Sequence, residues 1–193
     1  MESHFFAMMS RMKYIERWAL MRNSERENIS EHSLEVAMIA HGLAVISNVR
    51  LGNNLNVEKA ALIGMFHDST EIITGDMPTP IKYYNDEIKE AFKEVEKKAA
   101  DKLLNYLPGD MRSYYEPLFF KTEEDEYLWK LEKAADKLSA LIKCIEEEKA
   151  GNSEFKNAYQ SLYTSVKAMN LKEVDIFMEE FLPAYKKTLD ELQ

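Results

Sequence analysis

The chain has 193 residues, 46% of them apolar and 31% charged, which is the balance of a soluble globular protein of one domain spanning 1–193. Six glycines and five prolines favour long helices over many turns. The formal charge of −9, without a long Lys/Arg block, argues against a polymeric nucleic acid as partner, because such binding neutralises phosphates with basic residues; a small anionic substrate stays compatible, since a metal ion can reverse the local field.

Met1 to Phe6 lacks a basic region followed by an apolar run, and no stretch approaches the roughly 18 apolar residues of a membrane-spanning helix, so neither a signal peptide nor a membrane is expected. Residues 3–14 should form a short amphipathic helix with Phe5, Phe6, Met9 and Met12 on its apolar side, Ser3 as its cap and His4 as an exposed terminal residue. Glu16 to Glu25 has little periodicity and reads as a loop. Within it Arg17 stands beside Trp18. The pair is either a snorkelling arginine and a tryptophan that anchors the loop, or a phosphate ligand beside a wall for a sugar or base. On these two residues alone the packing reading is the simpler.

Asn28 with Glu31, or Ser30, supplies a helix start, and the helix runs to about Asn48. Leu34, Ala37, Met38, His41 and Val45 form one stripe; Val36, Ile39, Leu43 and Ile46 form another, so the helix should be buried on most sides. His32 lies in its first turn, and a lone histidine there is more often a hydrogen-bonded core residue than a ligand. His41 takes that same reading.

Leu51 to Asn54 is a turn by composition. Asn56 caps the next helix, from Val57 to about Ile73, which Gly75 ends. In it an apolar run, Ala61 to Phe66, leads straight into His67, Asp68 and Glu71. On a helix His67 and Glu71 would share a face, with Asp68 next to Glu71. A buried carboxylate is costly unless something compensates, and a divalent cation does, so this stretch predicts a metal site at the end of a core helix. Asp76-Met77-Pro78-Thr79-Pro80 then reads as a stiff, extended segment that either redirects the chain or forms a rigid rim beside the metal.

Glu87 to Leu107 is a charged helix with Ile88, Phe92, Val95, Ala99 and Leu103 on one side, broken by Pro108-Gly109. Residues 110–120 form a short helix with Met111, Tyr114, Tyr115, Leu118 and Phe119 inward. Thr122 opens a long helix to about Ala150, striped by Leu128, Leu131, Ala135, Leu138, Ile142 and Ile145. Asp136 interrupts that helix: it either faces a close helix contact or is a surface aspartate paired with Lys133 or Lys137, and alone the surface pair is the simpler reading. Cys144 is a small core residue; as the single cysteine it excludes an intrachain disulfide and fits a reducing cytoplasm. Glu146, Glu147 and Glu148 read as a solvated face. Phe155, Tyr159, Leu162 and Val166 mark the next helix. The last spans about Leu171 to Glu191, with Val174, Phe177, Met178, Phe181, Leu182 and Tyr185 inside and a kink at Pro183.

Taken together, His32, His67, Asp68 and Asp136 give two imidazoles and two carboxylates on three helices, a mixed set suited to a first-row divalent ion such as Mn²⁺, Co²⁺, Fe²⁺ or Zn²⁺. Four ligands leave positions for water and a substrate oxygen, and an uncoordinated Glu71 one turn from His67 could handle the water's proton.

The order His … His-Asp … Asp in an all-helical chain resembles the HD-domain metal-dependent phosphohydrolases. Glu16-Arg17-Trp18, Asn28 to Leu34, His67 to Glu71 and Thr74 to Lys82 resemble the bacterial 5′-deoxynucleotidase branch of that family, in the same order and over nearly the whole chain. Ala19 stands where that pattern carries a proline. The resemblance implies an all-α, single-domain HD-type helical bundle that removes phosphate from deoxyribonucleoside 5′-monophosphates. It implies a metal held by His32, His67, Asp68 and Asp136, with Co²⁺ or Mn²⁺ first and Zn²⁺, Fe²⁺ or Cu²⁺ as alternatives. Glu71 would assist the attacking water, with Asp68 also catalytic. Arg17 would orient the phosphate, and Trp18, His32 and the segment Asp76, Met77, Pro78, Thr79 would contact the substrate and disfavour a 2′-hydroxyl. It also implies a cytoplasmic homodimer. Two other readings stay open: an HD hydrolase of another phosphate ester, such as an alarmone or a cyclic nucleotide, and a helical nucleotide-binding module without turnover.

Overall fold

The computed structural model describes residues 2–82 and 84–193. The helical chain starts at α1 (Phe5–Met9), whose Phe5 is buried among Phe66, Tyr115 and Phe119. A 3₁₀ turn, Ser10–Tyr14, follows. Phe6 points outward, and Ser3 does not cap the helix: its hydroxyl donates to the Tyr106 carbonyl, 2.6 Å away, and so ties the N-terminus to the segment around Tyr106.

The central element is α2 (Ile29–Leu51). It opens with the expected capping box, Asn28 accepting from the Ser30 and Glu31 N–H groups and Glu31 accepting from the Asn28 N–H, and closes on Gly52 at φ 75°. Its Val36, Ile39, Leu43 and Ile46 face α3 (Val57–Phe66) and the later α8 (Glu126–Lys149). The stripe from Leu34 to Val45 is buried only at Ala37 and half-buried at Val45. Leu34 is 56% exposed, Met38 60%, and His41 is exposed as well, so His41 is no core residue. Helices α3 and α8, with the later α10 (Lys172–Glu180), leave the sector at Leu34 and Met38 uncovered. Against expectation, α2 is long and apolar enough to cross a membrane by length and composition; here it is the helix on which the core is assembled.

Helix α3 starts under the Asn56 cap, which accepts from the Lys59 N–H at 2.8 Å. At Gly64 it comes so close to α2 that an added Cβ would stand 2.9 Å from the Ala37 Cα and 3.0 Å from its nitrogen, both backbone atoms that cannot swing aside. Gly64→Ala is therefore expected to lower the melting temperature by roughly 2 to 10 °C, from an overpacking cost of ~1–3 kcal/mol. An unchanged thermal unfolding curve would mean that α2 and α3 can slide apart without cost.

The helix does not run on to Ile73. It ends at Phe66, and residues 67–70 form tight turns with Ser69 N–H donating to the Phe66 carbonyl and Glu71 N–H to that of Asp68. The buried Ser69 hydroxyl also bonds the Phe66 carbonyl, a local alternative to the helical ladder. A single turn, α4 (Glu71–Thr74), ends on Gly75 at φ 72°. The Asp76–Pro80 segment is without regular structure only at its start, Asp76 to Pro78. Thr79 begins another turn, α5 (Thr79–Lys82), in which Pro80 sits near the N-terminus, where its missing N–H costs nothing.

The charged helix is α6 (Asp86–Leu104), buried at Phe92, Ala99, Ala100, Leu103 and Leu104 while Val95 faces out. In α7 (Arg112–Phe119) Leu118 is buried but Tyr114 is 80% exposed. Helix α8 starts at Glu126, because the Thr122 hydroxyl donates to Asp125 Oδ2 at 2.7 Å and holds the preceding residues in turns. Its stripe from Leu128 to Ile145 is buried as read, and so is Cys144. After α9 (Lys156–Lys167), α10 (Lys172–Glu180) ends early. Instead of a kink at Pro183 the chain breaks into 3₁₀ turns at Leu182–Lys186 and Leu189–Glu191, since proline lacks the donor an α-helix would need, and Phe181 is left half-exposed.

Candidate active site

Four segments converge at the start of α2. His32 comes from its first turn, His67 and Asp68 from the turns after α3, Asp136 from the middle of α8, and Arg17 from the loop that precedes α2. His32, His67 and Asp68 each offer a ligand atom, and these lie within 4.8 Å of one another. Asp68 Oδ2 is 3.0 Å from His67 Nε2 and 3.5 Å from His32 Nε2; Asp136 Oδ1 is 3.4 Å from His32 Nε2.

The other ring nitrogens decide where the lone pairs point. His67 Nδ1 lies 2.7 Å from the Gly64 carbonyl, which can only accept, so the N–H is on Nδ1. His32 Nδ1 is 3.0 Å from Ser139 Oγ, whose own proton goes to Glu35 Oε2 at 2.5 Å; the Ser139 oxygen is left to accept from Nδ1–H. Both Nε2 atoms therefore turn lone pairs to the same space, and both are buried without a hydrogen-bond partner. Buried polar atoms are rarely left so, and two imidazoles beside a carboxylate, each with its second nitrogen anchored, form a donor set that fits a divalent cation. The field agrees. Burial alone would lower the basicity of His67, but Asp68, with Glu132 and Asp136, raises it to about 10, so the surroundings of Nε2 favour positive charge, a proton or a cation in its place. Against its own burial, Asp68 is held well below the usual carboxylate range by His67 and His32.

Asp136 satisfies both sequence readings at once. One oxygen meets His32, and the other accepts from Lys133 Nζ at 2.6 Å. Glu71 does not share a helix face with His67, because the chain turns between them; it opens α4 instead, its N–H on the Asp68 carbonyl at 2.9 Å. Burial, then Asp68 and Asp76, pushes its carboxyl up to about 9, and its Oε2 is buried without a partner.

Arg17 is not a snorkelling surface residue. Its side chain is 11% exposed, with Nη1 3.3 Å from Asp68 Oδ2 and Nε 3.6 Å from Glu27 Oε2. Trp18 does anchor the loop: its indole N–H donates to Glu27 Oε2 at 2.9 Å and its ring meets Phe155 edge-on at 5.2 Å. Its φ of 58° is unusual for a bulky side chain and of a kind that concentrates at functional sites. Asp76 accepts from the Trp18 backbone, which joins the start of the rim to this loop; Met77 and Pro78 follow half-buried, and Thr79 is exposed.

The same loop is clamped to α8 from outside. Glu147, in the row that reads as solvated, is 1% exposed. It accepts from the Ser24 N–H at 2.9 Å, Lys143 Nζ at 2.6 Å and Asn152 Nδ2 at 2.7 Å, which together outweigh burial and bring it down to about 2. Lys143 also donates to the Glu25 carbonyl and Asn152 to that of Arg22.

Sequence reasoning misses Glu27, Glu35, Ser139 and Glu132. Glu35 follows His32 by three residues and Ser139 follows Asp136 by three, so helical spacing alone could have flagged both. Glu27 sits in the charged run Ser24 to Glu27, where nothing local separates it from a solvated residue.

The 5′-deoxynucleotidase YfbR-like family matches residues 4–185. A 5′-deoxynucleotidase of Erwinia tasmaniensis is 48% identical over 190 residues, covering 98% of this chain and 96% of that protein. The 5′-deoxynucleotidase YfbR of Escherichia coli is 47% identical over 191 residues, 99% and 96% of the two chains. Among solved structures, an HD-domain phosphohydrolase from Listeria innocua aligns with a TM-score of 0.78 at 24% identity, over 94% of this chain and 88% of that one. The cyanophage S-2L HD phosphohydrolase DatZ, bound to dA and one catalytic Zn²⁺ ion, aligns with a TM-score of 0.68 at 23% identity, over 94% and 96%. At such identities the two structures bear on the fold, which is the all-α HD-type bundle.

Proposed function

The chain belongs to the YfbR-like 5′-deoxynucleotidase family, and from that premise we propose that it is a divalent-metal-dependent phosphatase converting deoxyribonucleoside 5′-monophosphates to deoxyribonucleoside and phosphate. The observation that carries this reading is the pair of buried, unpartnered Nε2 atoms of His32 and His67 facing Asp68. His32, His67, Asp68 and Asp136 would hold the metal. Mixed imidazole and carboxylate donors suit Co²⁺ or Mn²⁺, and also Zn²⁺, Fe²⁺ or Cu²⁺. When bound, the ion supplies Lewis-acid polarisation of a phosphoryl oxygen.

The protein's own groups do the rest. Arg17, already aimed at Asp68, orients the phosphate with its guanidinium fork. A bound cation's charge favours the ionised form of Glu71; its Oε2 would then take the proton of the attacking water as the water oxygen bonds to phosphorus and the bond from phosphorus to the sugar oxygen breaks, and the sugar oxygen leaves with that proton as phosphate is released. Trp18 and the segment Asp76, Met77, Pro78, Thr79, with His32 beneath, form the sugar wall. Trp18 is held at its N–H by Glu27 and at its ring by Phe155, so it yields little to an added hydroxyl. A 2′-hydroxyl desolvated against it costs ~1–3 kcal/mol, on the order of 10- to 100-fold in rate. Phosphate release from matched deoxy- and ribonucleoside monophosphates with Mn²⁺, Co²⁺ and Zn²⁺ is expected to show that preference. Equal efficiency on both sugars would sink the deoxynucleotide assignment.

The enzyme in this reading is a cytoplasmic homodimer that engages neither a membrane nor polymeric nucleic acid. Exposed Leu34 and Met38 of α2, with Leu62 and Met65 of the adjoining α3, support a second copy as what covers them. The charge of −9 and the single, unpaired Cys144 support the rest.

A further inference from the structure

We propose that Glu27 is a positioning residue, fixing Arg17, Trp18 and His32 relative to one another; this rests on the phosphatase reading above. One carboxylate reaches all three. Its Oε2 accepts from Trp18 Nε1 at 2.9 Å and lies 3.6 Å from Arg17 Nε, while Oε1 lies 3.5 Å from His32 Nδ1. The side chain is largely buried, so water does not replace these contacts cheaply.

The backbone explains how a residue ten positions from Arg17 arrives there. Arg17 N–H donates to the Glu27 carbonyl at 2.9 Å, Ile29 N–H donates to that of Ile15 at 3.0 Å, and Glu16 and Asn28 form an isolated bridge. The base of the loop is thus zipped, with Glu27 directly across from Arg17. The left-handed Trp18 needs restraint to keep its indole in place, and its carbonyl receives Met21 N–H at 2.8 Å while Glu27 takes the indole end. The two oxygens divide the work: one orders the phosphate-orienting cation and the sugar wall, and the other stands over the anchored nitrogen of a metal-binding imidazole.

Two variants separate bond from charge. Glu27→Gln keeps an oxygen for the indole N–H but loses the charge that faces Arg17; Glu27→Ala loses both. With the metal-loaded enzyme, Glu27→Ala is expected to raise KM for the deoxynucleotide roughly 10-fold or more, the loss of about one charge-assisted bond, and to narrow the deoxy-to-ribo ratio. Glu27→Gln should restore the ratio while KM stays high. A second readout needs no turnover. In a Trp129→Phe background, which removes an indole N–H that has no partner, acrylamide quenching reports on Trp18. Quenching should increase in Glu27→Ala and stay near the parent in Glu27→Gln. Unchanged KM and ratio in the Ala variant, unchanged quenching, or identical behaviour of the two variants would each overturn the proposal. If the parent enzyme hydrolyses neither nucleotide, the phosphatase reading fails by itself and the quenching comparison still decides the role of Glu27.

Discussion

Asp68→Ala is expected to abolish detectable phosphate release and to remove most of the metal-dependent rise in melting temperature. Asp68 Oδ2 faces both imidazole nitrogens, 3.0 and 3.5 Å away, and it also receives Arg17 at 3.3 Å. Removing it takes a ligand from the cation and leaves the part-buried Arg17 guanidinium without its nearest carboxylate. A metal that binds only the folded state stabilises it by mass action, ~2.7 kcal/mol at a hundredfold excess over Kd, or roughly 5 to 10 °C for a chain of this size. Loss of several kcal/mol of transition-state stabilisation corresponds to about 10³-fold or more in rate. Melting curves with and without Mn²⁺ check the first part. A variant that keeps the full metal-dependent shift would remove Asp68 from the ligand set.

Glu71→Gln should cut turnover by about 10²- to 10⁴-fold, the usual range for general acid–base assistance, while calorimetric titration with Mn²⁺ finds the affinity little changed. Glu71 is the first residue of α4, with its Oε2 buried and unpartnered, and no ligand atom of the His32, His67 and Asp68 group comes from it. Glutamine preserves its volume and removes its ability to accept a proton. Loss of the metal from this variant would make Glu71 a ligand and end its assignment as the base.

Much of the site was legible before folding was considered. Arg17, Trp18, His32, His67, Asp68, Glu71 and Asp136 are residue types whose chemistry is visible in a string, and the structure brings their segments together. The arrangement was less legible. His67 and Glu71 share no helical face, because Ser69 diverts the ladder at Phe66. Asp136 is neither a plain surface aspartate nor a plain ligand, since Lys133 and His32 hold one oxygen each.

The sequence by itself determined what depends on neighbours within about four residues. The capping box at Asn28 and Glu31, the Asn56 cap, the glycines at 52 and 75 and the buried stripe of α8 all follow from local backbone bonds and helical spacing. Only the tertiary structure decided which polar groups are inside. Glu147 and Ser24 are 123 positions apart, and His32 and Ser139 are 107 apart, so neither pair leaves a mark in any local window. Exposure obeys the same rule: Leu34 and Met38 look like Val36 and Ile39 as side chains, and the helices packed on the other sector alone separate them. Burial is a property of what covers a residue, and the covering element is supplied from far along the chain.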